Sequence, residues 1–241
     1  MSLLIAAIAP AILIMYLVYR HDLEKEPIKM LVKAFFGGVL SIVIALLIAL
    51  PLGLLESFVP SGFIRSFYTS FFCAGIPEEF AKWLIFYWFI SKAKDFDQYY
   101  DGILYAIFIS MGFAMVENVL YVADGGIVVA IGRAITAVPA HMLFAIPMGY
   151  FLSLSKFCQV KESTKNTILS LLVPILLHGI YDFILFYAGA KAELNPLLSI
   201  LLVITFVIFN IYMWRLGLRK IKAHIANDRV NQQNQVVENE N

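Results

Sequence analysis

The stretch YTSFFCAGIPEEFAKWLIFYWFI, Tyr68–Ile90, decides how this chain is read. It is apolar over the length of a membrane-crossing helix, which takes about 20 residues. Yet Glu78, Glu79 and Lys82 stand in its middle. A charged side chain at the bilayer centre costs roughly 2.5–3.5 kcal/mol on insertion scales. Three such groups so close together belong against protein, and they are candidates for chemistry. Pro77 suits the first turn of a helix. The span is therefore expected to break at Gly75-Ile76-Pro77 and to offer first-turn amides to the two acids. Lys82 is i+4 from Glu78 and i+3 from Glu79, so it can pair with either.

Outward from that stretch the rest of the chain reads the same way. Of 241 residues, 61% are hydrophobic and only 15% charged, against about 25% charged in soluble domains. The expected fold is all-α: a polytopic transmembrane helical bundle of about seven spans. These are Leu3–Tyr19, Ala34–Leu55, Tyr68–Ile90, Ile103–Val122, Ala134–Leu154, Thr167–Tyr187 and Leu197–Trp214. Basic residues alternate between the connections. Arg20, Lys25, Lys29 and Lys33 follow the first span, Lys92 and Lys94 the third, and Lys156, Lys161 and Lys165 the fifth. Arg215, Arg219, Lys220, Lys222 and Arg229 follow the seventh, whereas Arg65, Arg133 and Lys191 stand singly in the intervening loops. By the positive-inside rule the N-terminus is expected outside and the C-terminus in the cytoplasm. The first span lacks the basic region ahead of it that a cleavable signal peptide would carry. Residues 1–220 are read as the membrane domain and 221–241 as a polar cytoplasmic tail, helical at first and then disordered. Cys73 and Cys158 have no metal-site or disulfide pattern. No nucleotide fingerprint or internal repeat is present, and nothing supports a nucleic-acid partner.

Apart from hydroxyls, few polar side chains fall inside the spans: Glu78, Glu79, Lys82, Glu117, Asn118, His141, His178, Asp182 and Asn210. Arg133 borders the fifth span and would enter the membrane if that span began earlier. With the topology above, Glu78, Glu79, Glu117, His141, His178 and Asp182 come from four helices to the outer half of the bilayer, at 1.5 Å per residue. His178 and Asp182 are i, i+4, so the acid can orient the imidazole. Asn210 reads as structural, and Asp101 as a solvated residue at the membrane edge. A carboxylate beside histidines can activate water for peptide hydrolysis. Two histidines and a glutamate can instead hold a metal with an open position. The sequence leaves both open, since neither H-E-x-x-H nor G-x-S-x-G occurs and Tyr181-Asp182 has no G-x-G-D companion. A proton- or ion-coupled transporter also uses membrane carboxylates and histidines, but its polar groups should line a full path, and these cluster in one half.

The motifs taken in order resemble the PrsW intramembrane proteases. They are Lys25-Glu26-Pro27, Pro77-Glu78-Glu79-Phe80-Ala81-Lys82-Trp83, Tyr100-Asp101-Gly102-Ile103, Gly112-Phe113-Ala114-Met115-Val116-Glu117-Asn118, Arg133-Ala134 with His141 downstream, and Leu177-His178-Gly179-Ile180-Tyr181-Asp182-Phe183. The pattern is distantly similar to the CAAX prenyl protease and bacteriocin-processing family, whose paired Glu, F-x-x-x-H and H-x-x-x-Asn/Asp it echoes. Here Glu117 replaces the middle His and Lys82 a later Arg, which favours PrsW over a CAAX-like peptidase of another substrate class. The resemblance implies Glu78, Glu79 and His178 as catalytic, supported by Lys82, Glu117, Asn118, Arg133, His141 and Asp182. It leaves a metallo and a glutamate-dependent mechanism both open; if a metal is used, the candidate is zinc, held by Glu79, His141 and His178. It further implies a multi-pass protein of the bacterial cytoplasmic membrane. The implied activity is site-1 cleavage, outside that membrane, of a single-pass anti-sigma factor in stress signalling.

Overall fold

The computed structural model describes residues 2–158 and 160–239. It is helical throughout: α1 (Ser2–His21), α2 (Ile28–Leu55), the short α3 (Phe63–Tyr68), α4 (Ile76–Phe89), α5 (Tyr99–Ile135), α6 (Ala137–Phe157), α7 (Val160–Lys191) and α8 (Pro196–Asn239). Among the described residues there is no strand. Five stretches are long and apolar enough to cross a membrane: Leu3–His21, Ile28–Phe58, Tyr99–Phe157, Glu162–Lys191 and Pro196–Asn234. Sequence led to seven. The 59-residue stretch holds two of the expected spans, α5 and α6, and the expected third span falls short because Glu78, Glu79 and Lys82 interrupt it.

The α5–α6 pair is the centre of the bundle. Its most apolar window is 67% buried within the protein, against 6% for that of α8. α5 packs on α1, α2 and α6, and α7 packs on α4, α6 and α8. Large apolar residues of α1, α2 and α8, such as Leu47, Leu50 and Ile208, face outward. That is the distribution expected where the surrounding solvent is lipid.

Three local features depart from the sequence reading. First, the chain does not break before Pro77. Residues Thr69–Gly75 form a π-helix that runs straight into α4, and the Ile76 amide donates to the Phe71 carbonyl. The first turn of α4 therefore offers no bare amides to Glu78 and Glu79. The wider π winding rotates the following turn, as such segments do at functional sites.

Second, α5 folds back on itself at Gly126 (φ 67°, ψ −157°), a left-handed conformation open to glycine. Arg133 consequently lies 2.7 Å from Glu117. On a straight helix the two residues would sit about 24 Å apart.

Third, α8 continues through Asn239, beyond the point where a solvated, disordered tail was expected. His224 is buried and its Nε2 meets the Tyr150 carbonyl at 3.1 Å. Asp228 accepts from the Tyr99 and Tyr100 amides at 2.7 and 2.9 Å. These are two of the first-turn donors of α5, which have no partner within their own helix. The polar composition of the tail pointed to water, and these acceptors supply the helix end instead.

Candidate active site

α4, α5, α6 and α7 converge on one polar centre. Pro77 opens α4, so Glu78 and Glu79 occupy its first turn and Lys82 the next. Glu79 and Lys82 are buried at 0% and 1% exposure. The Lys82 ammonium lies 2.7 Å from Glu79 Oε1, 3.4 Å from Glu78 Oε2 and 3.1 Å from His141 Nδ1. An ammonium has three protons to donate and no acceptor, so these three partners exhaust it. It also sits 4.2 Å from the centre of the Phe113 ring, within cation–π range.

The partners of each imidazole follow from this. His141 Nδ1 accepts from Lys82, so Nε2 carries the proton and donates to Glu117 Oε2 at 2.8 Å. His178 has Glu79 Oε1 at 2.9 Å from Nδ1 and Asp182 Oδ2 at 3.2 Å from Nε2. The ring is thus held between two carboxylates, one at each nitrogen. Phe144 stacks on this ring at 4.6 Å, with 14° between the planes. Arg133 pairs with Glu117, and its Nε donates to Asn118 Oδ1 at 2.8 Å. Asn118 donates in turn to the Ala7 carbonyl on α1 at 2.8 Å.

The result is a continuous chain from Asp182 through His178, Glu79, Lys82, His141, Glu117 and Arg133 to Asn118. It holds every site residue expected from sequence except Glu78, which branches from Lys82. Asn118 stands at its outer end and pins α5 to α1, while the others border or underlie a cavity of about 270 Å³. The two adjacent glutamates differ. Glu78 lines that cavity, with its side chain 16% exposed and one long contact to Lys82. Glu79 is enclosed and bridges Lys82 and His178. Tyr121, under the Arg133 guanidinium at 4.1 Å, and Phe144 were not singled out from sequence. Helical spacing carried a signal for both: Tyr121 is i+4 from Glu117, and Phe144 is i+3 from His141.

A close approach of two backbones builds the Glu79–His178 contact. A Cβ on Gly75 would lie 3.2 Å from the Gly179 amide nitrogen, and one on Gly179 would lie 2.3 Å from the Phe71 ring. Glycine at both positions lets α7 lie against the π segment directly before α4. Asp101, expected to be solvated, is 0% exposed, because the α1–α2 connection and α8 cover the start of α5.

Glu78, Glu79, His141 and His178 could also hold a metal. One donor atom from each lies within 4.8 Å of the others. Two imidazoles and two carboxylates form a donor set that suits zinc, and Glu79 Oε2 is buried without a partner. The residues fit such an ion, although Lys82 holds three of the same groups.

An apolar helical bundle that encloses carboxylates, imidazoles and an ammionium around a cavity is the make-up of a membrane-embedded hydrolase. The profile of the PrsW family intramembrane metalloproteases matches residues 26–213. "Protease PrsW" of Oceanobacillus iheyensis is 35% identical over 234 residues, covering 96% of this chain and the whole of that protein. The protein of the same name from Bacillus subtilis is 36% identical over 222 residues, 92% of this chain and 94% of the relative. That from Clostridioides difficile is 34% identical over 236 residues, 95% and 94% respectively. No solved structure matches. The chain belongs to the PrsW family of intramembrane proteases, and is a multi-pass bacterial membrane protein.

Proposed function

We propose that this protein is an endopeptidase that makes the site-1 cut in a single-pass, anti-sigma-factor-like membrane protein on the extracytoplasmic side. The observation that carries this reading is the polar chain around Lys82, which meets a cavity through Glu78. We take residues 1–220 as the protease domain in seven spans, with the N-terminus outside and residues 221–241 cytoplasmic. The alternation of basic loops supports that topology. In it the acids and histidines of α4–α7 share the outer half of the bilayer.

Glu78 is the water-activating base, since it is the carboxylate of the pair that borders the cavity and has acceptor capacity to spare. Glu79 does not reach substrate; it fixes the Lys82 and His178 side chains. His178, held by Glu79 and Asp182, places positive charge where the scissile carbonyl develops an oxyanion. Glu117 and Arg133 orient His141 and close one side of the cavity. A zinc ion, when bound, would be held by Glu79, His141 and His178 and would polarise the attacked carbonyl and the attacking water, leaving Glu78 as the base. A second, more apolar cavity on the α2 side also reaches Glu78 and Glu117. It offers a lateral route for a substrate segment from the lipid.

The test uses purified protein in proteoliposomes with a single-pass anti-sigma factor substrate. Glu78→Gln, Glu79→Gln and His178→Ala are expected to abolish cleavage while inserting normally. Full cleavage by all three would overturn the reading. Cleavage blocked by a chelator and restored by zinc would support the metal.

A further inference from the structure

Two motifs of the sequence, Lys25-Glu26-Pro27 and Tyr100-Asp101-Gly102, take no part in the site above. The fold brings them together at the opposite end of α5, about 24 Å along the helix from Glu117. Glu26 and Asp101 are 6% and 0% exposed, and one carboxylate oxygen from each of Glu26, Asp97 and Asp101 lies within 4.8 Å of the others. Asp101 Oδ2 accepts from the Asp97 and Gln98 amides at 3.0 and 2.6 Å. Its Oδ1 is buried with no partner, as is Oδ1 of neighbouring Asp22. Glu26 Oε2 accepts from the Tyr105 hydroxyl.

Among the described residues, none of these acids, nor nearby Glu24 and Asp228, forms an ion pair. Of the two nearby lysines, Lys25 spends its ammonium group on backbone carbonyls, and Lys156 acts on Asp97 and Asp101 without reaching ion-pair distance. Lys25 Nζ donates to the Tyr19 and Asp22 carbonyls at 2.9 and 2.6 Å. Lys156 Nζ donates to the Ala93 carbonyl at 3.2 Å and covers the Phe96 ring. A buried carboxylate oxygen without a partner is costly, and Asp101 Oδ1, in a cluster with Glu26 and Asp97, would gain one from a cation. Oxygen donors alone suit a hard ion. Asp97 is exposed and borders a polar cavity lined also by Glu24 and Gln98, which gives an ion a path from water.

We propose that Glu26, Asp97 and Asp101 bind a hard divalent cation, of the Ca²⁺ or Mg²⁺ class, which clamps the α1–α2 connection to the first turn of α5. The site is separate from the candidate active site and independent of the protease reading.

The experiment titrates Mn²⁺, as a paramagnetic probe, into EDTA-stripped full-length protein in detergent. Free Mn²⁺ is read by electron paramagnetic resonance, with Ca²⁺ and Mg²⁺ as competitors. One Mn²⁺ displaced by Ca²⁺ or Mg²⁺ is expected, and it should persist in the Glu79→Gln/His178→Ala double variant. Asp101→Asn or Glu26→Gln should abolish it. Asp97→Asn, at an exposed position that a fold tolerates, should weaken it at least about tenfold. Absence of displaceable Mn²⁺ at millimolar concentration would overturn the site. So would Mn²⁺ binding that Asp97→Asn leaves unchanged.

Discussion

Lys82 Nζ lies 3.1 Å from His141 Nδ1 and 2.7 Å from Glu79 Oε1, and that geometry joins two halves of the polar centre. On one side stand Glu79, His178 and Asp182; on the other, His141, Glu117 and Arg133. One buried ammonium fixes the tautomer of one histidine and neutralises the acid beside the other.

Removal of that ammonium should be costly. Lys82→Met leaves buried Glu79 with His178 as its one remaining partner, and removing one partner of a buried ion pair costs about 3–5 kcal/mol. Adding Glu79→Gln should recover part of the loss. Equilibrium unfolding of the single and double variants checks this, and equal destabilisation in both would contradict the pairing. Lys82→Arg is expected to fail as a replacement, because a planar fork cannot match three acceptors around a point charge.

The adjacent glutamates should separate by readout. Glu78→Gln is expected to lower the cleavage rate by about 10²–10⁴-fold, the range of a lost general base, with little change in thermal stability. Glu79→Gln should lower both, since it also strips Lys82 and His178 of a partner. Parallel cleavage assays and thermal melts in detergent distinguish the two. Equal stability losses would remove the division of roles.

Gly179→Ala places a methyl group 2.3 Å from the Phe71 ring and should push α7 off the π segment. A displacement of about 1 Å between Glu79 and His178 can cost on the order of 10²-fold in rate. Insertion and helix content should be retained. The cleavage rate measured beside circular dichroism tests this, and normal activity would mean that the contact is slack.

Arg133→Ala and Glu117→Gln should each reduce activity, and the double variant should be no worse than the more severe single one, since contacting residues are not additive. A double-mutant cycle on cleavage rate measures the coupling. Additive losses would mean that the fold-back at Gly126 does not serve Glu117.

Away from the membrane centre, Glu26 gives a pH signature. Burial, opposed by the Tyr105 hydroxyl, pushes its carboxyl up to about 7 from 4.5. The folded state therefore holds a proton that the unfolded chain releases near pH 4.5. Stability is expected to fall as pH rises across about 4.5 to 7. Glu26→Gln should reduce that slope, the remainder coming from Asp22, Asp97 and Asp228, whose carboxyls burial also raises. Melts in EDTA, which keep divalent cations out of the comparison, check it.

Much of the site could be read in the sequence, because charged groups in apolar helices have few places to go. Glu78, Glu79, Glu117, His141, His178 and Asp182 were all legible by cost alone, and helical spacing paired His178 with Asp182. What could not be read depends on contacts far along the chain. Gly126 looks like any glycine until its φ is known. The burial of Asp101 depends on Asp22 and Glu26 from another connection. The tail looked solvated because its polar residues find their partners far along the chain, on α5, α6 and the α1–α2 connection. The π winding before Pro77 leaves no mark that distinguishes it from an ordinary helix start.

Asp228 has a consequence for how the chain is made. It satisfies the Tyr99 and Tyr100 amides from 129 and 128 positions downstream. The central helix thus starts with a first turn that stays incomplete until α8 has left the ribosome and swung back across the bundle. A tag or fusion set ahead of Asp228 would reach through that joint to the helix that carries Glu117, even though it lies at the far end of the molecule from the cavity.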